Sequence, residues 1–261
     1  MYPDILGKTS FFVINESGEK VLRDFKKEND LGFSVLKYHS RDGYDDFNYM
    51  FYENFEYFND YDSNGSDYER YGCKIEQGDV VVDIGANVGM FSRWAKLRGA
   101  ERVISFEPMS KTFSCLLDNI GNDSECHKIA IGNGMGTLDM HILDNEGNLG
   151  GGTSMEIKGR NIVRSERVLQ LSIGNLFEIG LVPDTIDFLK IDCEGSEKYI
   201  IENISDSDLG RIRKISMEYH QGELGEPLRK RFTDRLAGLG FTHFTLFHGD
   251  GSLIQLHFWK D

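Results

Sequence analysis

Long apolar runs, paired cysteines, proline and positive charge are all scarce in this chain of 261 residues, and each scarcity removes a class of protein. The strongest apolar runs, at residues 80–84 and 186–189, are a few residues each, against the roughly 20 that a membrane-spanning helix needs. The opening Met1-Tyr2-Pro3-Asp4 carries no basic segment leading into an apolar one. No secretory or transit signal is therefore expected, and the cytoplasm is the expected location. Cys73, Cys115, Cys126 and Cys193 include no CxxC pair and no zinc-type His/Cys spacing, which predicts reduced, packed thiols. With 4 prolines there is no Pro-rich linker, and neither a repeat nor a low-complexity segment is visible. A net charge of -14 argues against nucleic acid as a partner, because proteins that neutralise phosphates gather Lys and Arg on one face.

What is present suits one sizeable core: 39% of the residues are apolar and 12% aromatic. Residues 1–75 are the less regular part, with a β-branched and aromatic run at 11–14 and a stretch dense in Phe, Tyr, Asp and Glu at 47–61. They are expected to form a small N-terminal cap, whose aromatics either line a substrate cleft or simply pack. Residues 76–261 are expected to form the main domain. Buried strands are predicted at 79–84, 102–106, near 127–131, at 186–191 and at 212–218. Between them, apolar residues at helical spacing mark helices: Phe91, Trp94, Ala95 and Leu97, then Phe113, Leu116, Leu117 and Ile120, then residues 196–204. Leu228, Phe232, Leu236 and Leu239 stripe a last helix. A long irregular stretch at 132–179, with Gly150, Gly151 and Gly152 and short strands at 138–142 and 168–171, interrupts the alternation. The chain closes on a hairpin, 241–247 and 253–259, turning at His248-Gly249-Asp250-Gly251. The alternation predicts an α/β fold, a mainly parallel sheet covered by helices on both faces, with antiparallel edge strands from the hairpin.

The sharpest signal is the strand-and-turn Val80-Val81-Val82-Asp83-Ile84-Gly85-Ala86-Asn87-Val88-Gly89. Its glycines are not spaced GxGxxG, so it is not a dinucleotide fingerprint. Asp83 at the start of the turn suits a ligand carrying an ammonium and a sulfonium better than a pyrophosphate, because opposite charges attract at short range. Glu107, at the end of the second strand, stands where acids in such folds accept hydrogen bonds from ribose hydroxyls.

Together with Phe106-Glu107-Pro108, the segment from Ile186 through Lys190-Ile191-Asp192-Cys193-Glu194-Gly195-Ser196-Glu197, and Glu218-Tyr219-His220, this turn resembles the FkbM family of class I S-adenosylmethionine-dependent methyltransferases over residues 66–247. The resemblance implies a Rossmann-like class I methyltransferase fold, S-adenosylmethionine as methyl donor, S-adenosylhomocysteine as product, and O-methylation of a sugar, glycan or glycosylated small molecule. It implies a cofactor site of Asp83, Gly85, Asn87, Gly89, Glu107 and Asp192. Two positions depart from the family pattern: Ser172-Ile173-Gly174 replaces Thr-Leu-Asp, and Asn133 replaces an Asp.

Asp192 and Glu194 follow the fourth strand, while Glu218 and His220 end the fifth. Ligands in open α/β sheets bind outside those strand ends, so the four are the candidate catalytic residues and are expected to converge on one crevice. Two apart on an extended segment, Glu218 and His220 should share a side. His220 or Asp192 is the expected base; the competing reading is a loop-binding histidine, and helix capping for Asp192, Glu194 and Glu197. A divalent metal held by these acids is disfavoured, since they already have cofactor and base roles. Lys190 points either into the site or beneath it. Other expectations compete: a nucleic-acid, protein or lipid acceptor, or a non-catalytic adenosylmethionine-binding module.

Overall fold

The computed structural model describes residues 10–14, 20–24, 68–143, 161–221, 225–248, 251 and 253–260. The antiparallel pair β1 (Ser10–Ile14) and β2 (Lys20–Asp24) comes first. Then follow β3 (Val80–Ile84), α1 (Met90–Leu97), β4 (Arg102–Phe106), α2 (Ser110–Ile120) and β5 (Glu125–His127). The short β6 (Ala130–Ile131) precedes β7 (Gly136–Leu143), β8 (Ile162–Leu171) and α3 (Ile173–Glu178). The remainder comprises β9 (Ile186–Ile191), α4 (Glu197–Asn203), α5 (Asp206–Gly210), β10 (Ile212–His220), α6 (Glu226–Gly238), β11 (Thr242–His248) and β12 (Leu253–Trp259).

Among the described residues, seven strands form the central sheet in the order β11-β12-β10-β9-β3-β4-β5. β5, β4, β3, β9 and β10 are parallel, as Val- and Ile-rich runs joined through helices should be. The strand order reverses between β3 and β9, so a crevice opens beyond their carboxyl ends. The hairpin differs from the expected pair of edge strands. β12 lies inside the sheet, antiparallel to both β10 and β11, and only β11 is an edge. Burial explains the placement: five central residues of β12 are buried, whereas Thr242, His243 and Phe247 of β11 are exposed.

Two further differences concern residues 125–171. The third strand is split: β5 stays in the main sheet, but a turn closed by Ile129 N–H on the His127 carbonyl at 3.0 Å sends β6 into a second sheet. There β8 pairs parallel to β6 and antiparallel to β7 over 136–143 and 162–171, longer than the short strands expected at 138–142 and 168–171. Met109, Ala130, Met140 and Val168 join this sheet to the main body. The glycine cluster at 150–152 and the aromatic-acidic stretch at 47–61 lie outside the described residues.

One face of the central sheet is apolar: Ile84, Phe106, Leu189, Ile191, Met217, Leu256 and Phe258 pack under α3 to α6, with Leu176, Ile200, Leu209 and Phe232 as the helical contributions. The other face is covered by α1 and by residues 68–75. Glu69 fastens this segment, accepting from Trp94 Nε1 at 2.6 Å and from Ile75 N–H at 2.8 Å, and buried Cys73 donates to the Ile215 carbonyl at 3.5 Å. All four cysteines are free thiols. Among the described residues no helix is long and apolar enough to cross a membrane.

Candidate functional site

The turn after β3 is shaped by close approach. Gly85 has φ +75°, and a Cβ there would lie 1.7 Å from the Asp192 carbonyl oxygen, so only glycine lets the turn lie against the end of β9. The N–H groups of Gly85 and Ala86 both donate to the Phe106 carbonyl, at 3.0 and 2.9 Å. Asn87 is left-handed at φ +49°, a conformation that Asn tolerates better than most residues. Gly89, at φ +92°, caps α1 where a Cβ would sit 2.7 Å from Ile120. The turn is thereby pinned between the ends of β4 and β9, at the crevice.

Glu107 sits at the rim of this turn, 6% exposed. Its carboxylate accepts from Asn87 N–H at 3.1 Å and from Met109 N–H at 2.8 Å. Burial raises its pKa to about 7, against the two N–H bonds, which favour the charged form. Asp83, the residue expected to meet a ligand's positive charge, lies beneath the turn. Its carboxylate is wholly buried, accepts from Ser92 Oγ at 2.5 Å and lies 3.3 Å from Lys190 Nζ. The protein's own Lys190 thus faces Asp83 beneath the turn.

Lys190 decides its own ambiguity in the same way. It is buried below the crevice, donates to the Gly85 carbonyl at 2.7 Å, and lies 3.5 Å from Asp192 Oδ2. Burial opposes its charge, yet Asp83 and Asp192 outweigh that and raise its pKa above the ordinary lysine value. Asp192 also accepts from Tyr68 Oη at 2.9 Å.

The other acids surround His220. Its Nδ1 is 3.4 Å from Glu197 Oε2, and its Nε2 is 3.6 Å from both Glu194 Oε2 and Glu218 Oε1. Burial alone would lower its pKa; Glu197, then Glu218 and Glu194, overcome this and raise it to about 10. These three carboxylates favour the imidazolium form of His220, in which the ring acts as a donor. Glu197 is fully buried and accepts from the N–H groups of Cys193 and Gly195 at 2.8 and 3.3 Å, so it does close the turn ahead of α4. Glu218 accepts from Gln255 Nε2 at 2.9 Å. Among the described residues, no group of three or more His, Cys, Asp or Glu is arranged to hold a metal ion.

Residues 83–241 match the family described as the methyltransferase FkbM domain. This chain belongs to that family. The FkbM domain thus spans the turn, Glu107 and the whole acid cluster, and identifies the chain as a methyltransferase of this type. The 31-O-demethyl-FK506 methyltransferase FkbM of Streptomyces tacrolimicus is 29% identical over 211 residues, 67% of this chain and 77% of that protein. The AMB antimetabolite synthetase AmbE of Pseudomonas aeruginosa is 28% identical over 194 residues, 59% of this chain but 9% of that protein. Among solved structures, Aeropyrum pernix fibrillarin with natively bound S-adenosyl-L-methionine overlaps 70% of this chain and 67% of its own, at TM-score 0.41 and 10% identity. So loose an overlap says nothing of the ligand here.

Both departures from the FkbM pattern have local structural jobs. Ser172 caps α3 in a reciprocal box with Asn175, and Asn133 accepts from Gln170 beside β6. Of the four residues expected to converge, Glu194 and Glu218 each lie 3.6 Å from His220, whereas the contacts of the Asp192 side chain are with Tyr68 and Lys190. Sequence reasoning missed Tyr68, Ser92 and Gln255. Tyr68 lies in no motif, and no periodicity pointed to it; Ser92 stands nine residues after Asp83, on a helical face read only for its apolar neighbours.

Proposed function

We propose that this FkbM-type enzyme transfers the methyl group of S-adenosylmethionine to a hydroxyl of a small molecule, a sugar or a glycosylated compound. The observation that carries the cofactor is Glu107: a buried carboxylate at the end of β4, 3.1 Å from Asn87 N–H in the glycine turn, where ribose hydroxyls would find their acceptor. The hydroxyl acceptor is supported by the relative that acts on 31-O-demethyl-FK506.

Transfer is an in-line displacement, in which the acceptor oxygen bonds to the methyl carbon as the carbon–sulfur bond breaks and S-adenosylhomocysteine leaves. Positioning therefore supplies much of the rate. The hydroxyl proton needs a taker. Because its three carboxylates favour the imidazolium form of His220, Asp192 is the proposed base, through Oδ1, since Oδ2 is engaged by Tyr68 and Lys190. His220 and Glu194, at the open end of the cluster, are proposed to bind the acceptor, and Glu218 to hold His220.

Calorimetry with S-adenosylmethionine, S-adenosylhomocysteine and NAD tests the cofactor on the wild type and on Glu107→Gln. Binding of both adenosyl ligands, weakened by the substitution, is expected; binding of NAD alone would end the methyltransferase reading. Labelled methyl transfer to 31-O-demethyl-FK506 and to a panel of free, amino- and glycosidic sugars then tests the acceptor. Labelling of protein or RNA instead would overturn the small-molecule assignment.

A further inference from the structure

Tyr68 lies 15 residues ahead of the first residue that the family match covers, yet its side chain reaches the centre of the site. We propose that Tyr68 is a positioning residue of the methyl-transfer crevice, acting through Asp192, so that the segment ahead of β3 completes the site. The inference rests on reading this crevice as the adenosylmethionine site.

A continuous path joins Tyr68 to the cofactor turn. Its hydroxyl donates to Asp192 Oδ2 at 2.9 Å. The same oxygen lies 3.5 Å from Lys190 Nζ, which in turn donates to the Gly85 carbonyl at 2.7 Å. Its ring meets Phe91, in the first turn of α1, edge-on at 5.4 Å, and the Lys190 ammonium stands 5.4 Å from the ring centroid. Phenol, ammonium and carboxylate thus set one another's geometry, and the far end of the set is the backbone that would face the cofactor.

Tyr68 is held there firmly. It is 4% exposed, and its neighbour Glu69 is clamped to Trp94 of α1, with Arg98 3.4 Å away. Asp192 itself is tied into the turn by its own N–H on the Ile84 carbonyl at 3.1 Å. With Oδ2 turned toward Tyr68 and Lys190, Oδ1 is the oxygen left for the crevice. Without the phenol, one oxygen no longer has a fixed donor, the carboxylate can rotate, and Lys190 follows it away from Gly85.

A phenylalanine keeps the ring and removes only the donor, which separates positioning from packing. The test is calorimetric binding of S-adenosylmethionine and S-adenosylhomocysteine to the full chain as wild type, Tyr68→Phe, Asp192→Asn and the double variant. Tyr68→Phe should weaken both ligands roughly tenfold, the scale of a lost hydrogen bond to a charged group, with its melting temperature near that of the wild type. The double variant should bind no more weakly than Asp192→Asn alone, because the two residues act through one bond. Wild-type affinity in Tyr68→Phe, or losses that simply add, would overturn the proposal. A wild type that binds neither ligand would instead bring down the reading of the crevice, a different result from either.

Discussion

On one face of the central sheet Ile84, Phe106, Leu189, Ile191 and Met217 form a core with no polar member; on the other, a single residue away along the same strands, Ser105, Asp83, Lys190, Ser216 and His257 lie in register across β4, β3, β9, β10 and β12. Both sets are buried to within a few per cent. Burial alone therefore does not distinguish them; the rules they obey do. Apolar neighbours contribute through area and fit, and a swap of similar volume costs little. The polar row is held by mutual satisfaction: Ser92 Oγ bridges Asp83 and Ser105 Oγ at 2.5 and 2.7 Å, and Lys190 stands between Asp83 and Asp192. Remove Lys190 and Asp83 is left without a counter-ion in a medium that does not solvate it.

Adjacent residues on β9 give the strongest way to break this contrast. Lys190→Met should cost about 3–5 kcal/mol in denaturant unfolding, since it strands Asp83 without a counter-ion, and adding Asp83→Asn should recover a large part. Failure of the second change to recover anything would mean that the row is not a coupled set. Leu189→Ala, one step along, should cost about 2–5 kcal/mol through cavity formation, while Leu189→Met should cost less than about 1.5 kcal/mol. No second substitution on the apolar face should be needed to restore it.

The open end of the polar face adds a pH signature. The pKa of His220, raised by its carboxylates to about 10, means that its contribution to stability is complete below the unfolded value near 6.5 and is lost as pH rises toward 10. Unfolding midpoints across that window should fall for the wild type and fall less for His220→Gln. Glu107 sharpens the comparison on the ligand side. With a free-site pKa of about 7, affinity for S-adenosylhomocysteine should be flat above that pH and drop by up to about tenfold per unit below it, because a protonated carboxyl is a poorer acceptor. Glu107→Gln should bind weakly with no such slope. The smallest effect is expected far from either face: Arg167→Ala, which breaks an exposed pair with Asp139 on the second sheet, should leave the melting temperature unchanged.

Much of the apolar face could be read directly. Residues 102–106, 186–191 and 253–259 became strands with the expected bounds, because short Val, Ile, Leu and Phe runs between turn residues have few other ways to be buried. Even the stripe Leu228, Phe232, Leu236 found its place under β12, with Phe232 edge-on to Phe258 at 5.8 Å. The polar row could not be read so. Lys190 within an apolar run is compatible with either side of the sheet, and its partners Asp83 and Gly85 are more than a hundred positions away. The order of β11 and β12 is equally non-local: hairpin chemistry predicts the pairing, but not which partner meets β10.

Local sequence determined the strands at 102–106, 186–191 and 253–259, the glycine turn after β3, and the placement of Glu194, Glu218 and His220 at neighbouring strand ends, because each follows from periodicity or turn chemistry. Tertiary structure alone decided that Lys190 lies beside Asp83, that three carboxylates surround His220, and that Tyr68 reaches Asp192. Charge states and hydrogen-bond partners depend on what surrounds a group within a few ångströms, and here that surrounding is assembled from segments far apart in the chain.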